Sequence, residues 1–173
     1  MSEVTAPARA VVVVDSPIGP LSVRVDGEAG VRRVRMGDED AVPRPAPGTA
    51  AGELASRAAT ELAEYFAGTR ETFTVEPDWE RLEALPGHVL RTLLRIAPYG
   101  RTVSYGELAA AAGIADELPA RVAGQILNAN PWPVIVPCHR VIMSDGSLGG
   151  FGGAVWRKEV LLRHEGRLPA TLF

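Results

Sequence analysis

Apolar and polar residues alternate through Leu21, Val23 and Val25 against Ser22, Arg24 and Asp26, the period of a strand with one buried face. An apolar run at residues 11–14 precedes it, and a third run at residues 31–36 follows it. The intervening stretches, 15–20 and 27–30, are rich in turn formers, so a small antiparallel meander is expected. The period then changes. Leu54, Ala58, Leu62, Tyr65 and Phe66 recur at helical spacing and stop at Gly68, which suits the left-handed residue that closes a helix. Residues 37–52, with Pro43, Pro45 and Pro47, read as a long surface loop. The first 80 residues are therefore expected to form a small α/β domain.

The remainder, 81–173, reads as mainly helical. A helix is expected to start at Pro86, with Val89, Leu90, Leu93 and Leu94 on one face, and to end at Pro98-Tyr99-Gly100. Ser104 and Glu107 have the spacing of a capping box, which puts Tyr105 in the first turn of a helix running to Gly113. Pro119 opens another helix, to Asn128, with Val122 and Ile126 on its apolar face. Two short helices joined by a turn that begins at Gly113 make a helix-turn-helix candidate. Pro131, Pro133 and Pro137 bracket Val134-Ile135-Val136 and are expected to hold the backbone extended ahead of Cys138. A Gly-rich loop, 146–153, leads to a last helix in which Trp156, Val160, Leu161 and His164 share a face and Gly166 supplies the cap.

Composition narrows the class. The chain has 173 residues and is 46% hydrophobic, enough for a real core. No run approaches the length of a membrane span, and no N-terminal apolar segment suggests export, so the cytoplasm is expected. One cysteine excludes an internal disulfide, and with three histidines no metal site is expected. The net charge of −3 is unevenly spread: residues 1–85 carry 9 Arg against 15 acidic residues, a net of −6, and residues 86–173 carry 9 basic against 6 acidic, a net of +3. Phosphate contacts are expected in the second half.

Cys138 lies in Pro137-Cys138-His139-Arg140-Val141. A lone cysteine is commonly a small core hydrophobe. Here two basic neighbours are expected to favour its thiolate. Glu165 sits in the last turn before Gly166, where the helix dipole disfavours a carboxylate by a few tenths of a kcal/mol. It is either a solvated surface residue or, with His139, the orienting carboxylate of a base that activates the thiol. The loop at Gly149-Gly150-Phe151-Gly152-Gly153 lacks the Lys-Ser or Lys-Thr of a P-loop.

The stretch Asn130-Pro131-Trp132-Pro133-Val134-Ile135-Val136-Pro137-Cys138-His139-Arg140-Val141-Ile142 resembles the active-site signature of the O6-alkylguanine-DNA alkyltransferases. Ser104-Tyr105-Gly106-Glu107-Leu108-Ala109, Arg121, and Lys158 to Gly166 extend the resemblance, as does Ser16-Pro17-Ile18-Gly19-Pro20-Leu21 near the N-terminus.

The resemblance implies an α/β N-terminal unit followed by a helical DNA-binding and alkyl-transfer domain with a helix-turn-helix. It implies a single-turnover transferase that flips the damaged guanine out of the duplex and moves its O6-alkyl group to Cys138, with O4-alkylthymine as a further substrate. His139 would take the thiol proton through a water, Glu165 would hold the imidazole, and Tyr105 would donate to N3 of the leaving guanine. Arg121 would fill the space of the flipped base, Gly124 would permit close backbone approach, and Asn130 would tie the recognition helix to the active-site strand. Arg140 is assigned to DNA contact, and Pro137, Val141, Phe151, Gly152, Gly153 and Lys158 to the substrate pocket. The implied partner is double-stranded DNA with alkylated bases, bound in the minor groove without sequence preference, by a monomer that can bind cooperatively. No cofactor, metal or membrane is implied.

Departures from the family pattern are Leu85 and Arg91, where members often have Phe and Trp and altered packing is expected. Val122, Gln125 and Ala129 stand where residues are often smaller. Two other readings are a lesion-binding module that flips the base without transfer, against which Cys138 speaks, and a cysteine hydrolase built on Cys138, His139 and Glu165.

Overall fold

A computed structural model describes residues 9–27, 29–37 and 47–169. The chain divides into two compact units, Met1–Trp79 and Glu80–Phe173. In the first, strands β1 (Arg9–Val14), β2 (Leu21–Asp26) and β3 (Val31–Met36) form an antiparallel sheet in the order β1-β2-β3. Helix α1 (Ala50–Phe66) lies against it, contributing Leu54, Ala58, Leu62 and Tyr65 to a core that also holds Leu21, Val23, Val25 and Val34. Thr49 caps the helix, its side chain accepting from Gly52 N at 3.1 Å. Gly68, at φ 76°, closes it as the sequence suggests. Most of the expected loop at 37–52, residues 38–46, lies outside the described residues, and α1 begins inside the remainder, at Ala50. A glycine is required at Gly30, because its φ is 129° and a Cβ there would sit 2.6 Å from the Glu76 carbonyl oxygen. That close approach lets Val31 N donate to Glu76 O and Asp78 N to Val31 O, which pairs the edge of β3.

The second unit is built from α2 (Ala84–Ile96), α3 (Tyr105–Ala111), α4 (Pro119–Asn128) and α5 (Val155–His164). A two-stranded parallel pair, β4 (Val103–Ser104) with β5 (Val141–Ile142), joins the start of α3 to the end of the cysteine segment. Helices α3 and α4 pack together and α2 packs on both. The α3 capping box is present in both directions: Ser104 Oγ accepts from Glu107 N at 3.1 Å and Glu107 Oε2 accepts from Ser104 N at 2.6 Å.

Four local expectations are corrected. Leu94 is exposed, and α2 buries Thr92 instead. Leu85 and Arg91 are also exposed, so the packing change expected from them falls at the surface. In α4 the fully buried positions are Ala123 and Leu127, with Val122 and Ile126 half-buried at the margin. In α5 Trp156 is 50% exposed and the buried face is Lys158, Leu161 and Leu162. The lysine reaches this face because backbone carbonyls, rather than apolar side chains, lie under its head.

Candidate active site

The segment before Cys138 is not extended. Val134 adopts φ 74°, Val136 N donates to Trp132 O at 2.8 Å, and the chain folds into a tight turn whose Trp132, Val134 and Val136 are fully buried. A β-branched residue in the left-handed region costs of order 1–3 kcal/mol and persists only when its surroundings dictate it. Asn130 does so: its Nδ2 donates to Val136 O at 2.9 Å and its Oδ1 accepts from Trp132 N at 3.0 Å. The prolines restrict φ, but the turn is closed by this amide. Cys138 then begins a 3-10 turn, Cys138–Arg140, that delivers three consecutive side chains into the interior.

Cys138 is 8% exposed. Burial pushes its thiol pKa up, partly offset by a hydrogen bond with Asn130 and the charge of Lys158. The expectation that His139 and Arg140 favour the thiolate is therefore corrected, because both side chains are committed to Glu165. His139 Nε2 lies 2.8 Å from Glu165 Oε1, and Arg140 Nε lies 2.9 Å from Oε2 and its Nη2 2.9 Å from Oε1. Arg140 Nη1 donates to Ala97 O at 2.8 Å. Arg140, expected at the DNA, is thus a buried structural tie with its guanidinium already engaged.

Glu165 is the C-cap of α5 and 4% exposed, so it is no solvated surface residue. Burial alone would raise its pKa, but the hydrogen bonds from His139 and Arg140 and the charge of the Arg140 guanidinium prevail and hold it well below the usual carboxylate range. Burial lowers the pKa of His139, more than Glu165 restores, so the imidazole is neutral. A neutral ring whose Nε2 donates to a carboxylate presents an unprotonated Nδ1, and Nδ1 is buried with no hydrogen-bond partner. That nitrogen is a base without a proton.

Lys158 is fully buried; its Nζ donates to Val141 O at 2.6 Å, to Leu148 O and to Gly150 O at 3.5 Å, and stands 5.7 Å from the Tyr105 ring centroid. Burial lowers its pKa to about 8, with the Cys138 charge opposing the shift. It staples the Gly-rich loop to the strand that follows the cysteine. Tyr105, the first residue of α3, has its pKa raised by burial and by the charge of Cys138. Gly149 at φ 69° lets the loop pass the ring, since a Cβ there would lie 3.3 Å from Tyr105 Cε2 and from Met143.

Beside this cluster is an open cavity of about 630 Å³, lined by Tyr105, Arg121, Gly124, Gln125, Met143 and Gly150 among others. The structure thus joins His139, Arg140 and Glu165 in one buried network beside the buried Cys138 and Lys158, with Asn130 closing the cysteine turn, and sets Tyr105, Arg121 and Gly124 around one cavity. Pro137, Val141 and Phe151 are buried, while Gly152 and Gly153 are exposed in the loop. Sequence reasoning passed over Gln125 and Asn128 as cavity-lining positions, although both follow Arg121 at helical spacing, i+4 and i+7. The tie from Arg140 to Ala97 left no such signal, because it joins residues 43 apart in sequence.

Comparison with known proteins places both units. Residues 11–78 match the model of the 6-O-methylguanine DNA methyltransferase ribonuclease-like domain, and residues 85–167 that of the DNA binding domain of the same enzymes. A methylated-DNA--protein-cysteine methyltransferase of Mycobacterium tuberculosis is 40% identical, covering 92% of this chain and 94% of its own. The Thermus thermophilus DNA base-flipping protein is 42% identical, covering 88% and 97%. The crystal structure of Mycobacterium tuberculosis OGT in complex with DNA superposes with a TM-score of 0.72 at 38% identity, covering 91% and 94%.

Proposed function

The chain belongs to the 6-O-methylguanine DNA methyltransferase family, and from that membership we propose that it repairs DNA by moving the alkyl group of O6-alkylguanine onto Cys138, once and irreversibly. The observation that supports the reading is a buried thiol at Cys138 followed in sequence by a buried, neutral His139 whose Nδ1 is unpartnered and whose Nε2 is held by Glu165 at 2.8 Å. His139 Nδ1 takes the thiol proton through a water, and the thiolate attacks the alkyl carbon. A C–S bond forms as the C–O6 bond breaks, the electron pair passes into the guanine ring, and Tyr105 supplies a hydrogen bond or proton at N3. A thioether resists hydrolysis, so the protein is consumed.

A raised thiol pKa suits this scheme. The ground state keeps the proton on sulfur, and the anion forms only with a base and a substrate in place. Asn130 and Lys158 lower its cost. Arg140 and Asn130 are positioning residues; Arg121, Gly124 and Tyr105 line the cavity that faces the DNA, where Arg121 would take the place of the flipped base and the α3–α4 pair would enter the minor groove. The protein would act as a monomer in the cytoplasm and bind cooperatively on DNA. No helix among the described residues is long and apolar enough to cross a membrane.

A second reading, base flipping without transfer, is favoured by the 42% identity to the Thermus thermophilus protein. One experiment decides: the protein is incubated with a duplex containing O6-methylguanine and the Cys138 peptide is weighed. The expected result is one methyl in place of the thiol hydrogen, with unmodified guanine left in the DNA. Cys138→Ala is expected to bind the duplex and transfer nothing. An unmodified peptide with the lesion still bound would establish the second reading instead.

A further inference from the structure

The N-terminal unit separates charge by position. Its three strands carry five arginines and one aspartate, a net of +4, whereas residues 50–79 carry two arginines and six acidic residues, a net of −4. Strand pairing sets Arg24 directly opposite Arg33, Ser22 opposite Arg35 and Arg9 opposite Asp26. These positions alternate with the buried Val23, Val25 and Val34, so they belong to the sheet face turned away from the α1 core. Asp26 is the single acid in the strands, and Arg9, Arg24 and Arg32 converge on it at 4.0, 3.1 and 2.9 Å. One carboxylate thus serves three guanidiniums. Arg33 is exposed and makes no ion pair with a described residue. Like charges directly opposite on neighbouring strands disfavour pairing, and such a choice beside the exposed Arg33 fits a counter-charge supplied from outside.

We propose that this arginine face is an additional contact surface for the phosphate backbone of duplex DNA. The inference rests on the DNA-repair reading above. Charge selects the partner: planar guanidinium forks match phosphate oxygens, and contacts to phosphate need no base sequence. The net −6 of residues 1–85 conceals the face: the +4 of the strands and the −4 of residues 50–79 cancel, and the remaining segments carry the −6.

Binding of an undamaged duplex is followed by fluorescence anisotropy over a salt series. Arg33→Gln is expected to weaken binding at low salt and to reduce the slope of log K against log salt by about 0.9, the loss of one phosphate contact. Arg33→Lys, which keeps the charge, is expected to retain the slope. Arg57→Gln makes the same charge change at an exposed position of α1 and is expected to leave the slope unaltered. The melting temperature of Arg33→Gln should equal or exceed the wild type's, since a like-charge pair is relieved. An unchanged slope in Arg33→Gln overturns the proposal, as does an equal loss in Arg57→Gln, which would mean a diffuse field. If the wild type methylates Cys138 while Arg33→Gln keeps the full slope, this inference alone fails; if Cys138 stays unmethylated, the repair reading fails with it.

Discussion

Glu165 concentrates the chemistry of the second unit in one carboxylate. It accepts from His139 and from two nitrogens of Arg140, all buried. Glu165→Gln leaves the Arg140 guanidinium buried without its counter-charge, which costs about 3–5 kcal/mol. It also loosens the imidazole orientation, so single-turnover transfer should slow by at least about 100-fold. The sign of the pH effect follows from the depressed pKa of Glu165: its contribution is full above the unfolded carboxylate value of about 4.3 and is lost as pH falls through the lower folded value. Chemical denaturation should therefore show a wild-type advantage over Glu165→Gln that is full at neutral pH and shrinks in strong acid. Lys158 acts differently, through the carbonyls of residues 141, 148 and 150. Lys158→Met keeps the stem volume and removes the donors. Transfer from duplex DNA and from free O6-methylguanine should then slow by similar factors, measured as Cys138 methylation against time, because the loop beside Tyr105 is released in both cases.

The elements that carry the site residues are short, and in α3 a capping box decides where the helix starts. α3 has seven residues, too few to be stable alone, and its first residue is Tyr105. The reciprocal bonds between Ser104 and Glu107 set that start. Ser104→Ala should cost about 1 kcal/mol in thermal or urea unfolding. Since it also frees the turn that aims Tyr105, the transfer rate should fall more than DNA affinity does. The cysteine turn obeys a similar logic with a side-chain amide in place of a cap, Asn130 holding Val134 in a conformation that valine avoids.

Across the molecule, acidic and basic charge are segregated within a chain whose total is only −3. The cavity holds one arginine, Arg121, which is exposed at the start of α4. If its task is to replace an extruded base, Arg121→Ala should slow the reaction on duplex DNA by more than on free O6-methylguanine. Equal losses on the two substrates, measured by methylation of Cys138, would remove that role.

Periodicity and turn chemistry made the elements legible: the meander, the helix ending at Gly68, the capping box and the helix opened by Pro119 all follow from neighbours within about four residues. The motif around Cys138 was legible for the same reason, being contiguous. Facts that depend on distant residues were not. Local charge predicts a favoured thiolate at Cys138, yet burial raises its pKa, and Glu165, 26 positions from His139 in sequence, engages both basic neighbours. Helix position predicts a disfavoured Glu165, yet the same contacts make it the anchor of the site. The sequence specifies which side chains are present and which backbone each prefers. Solvent exclusion and pairing across the fold set their charge states, since both depend on what else is buried beside them.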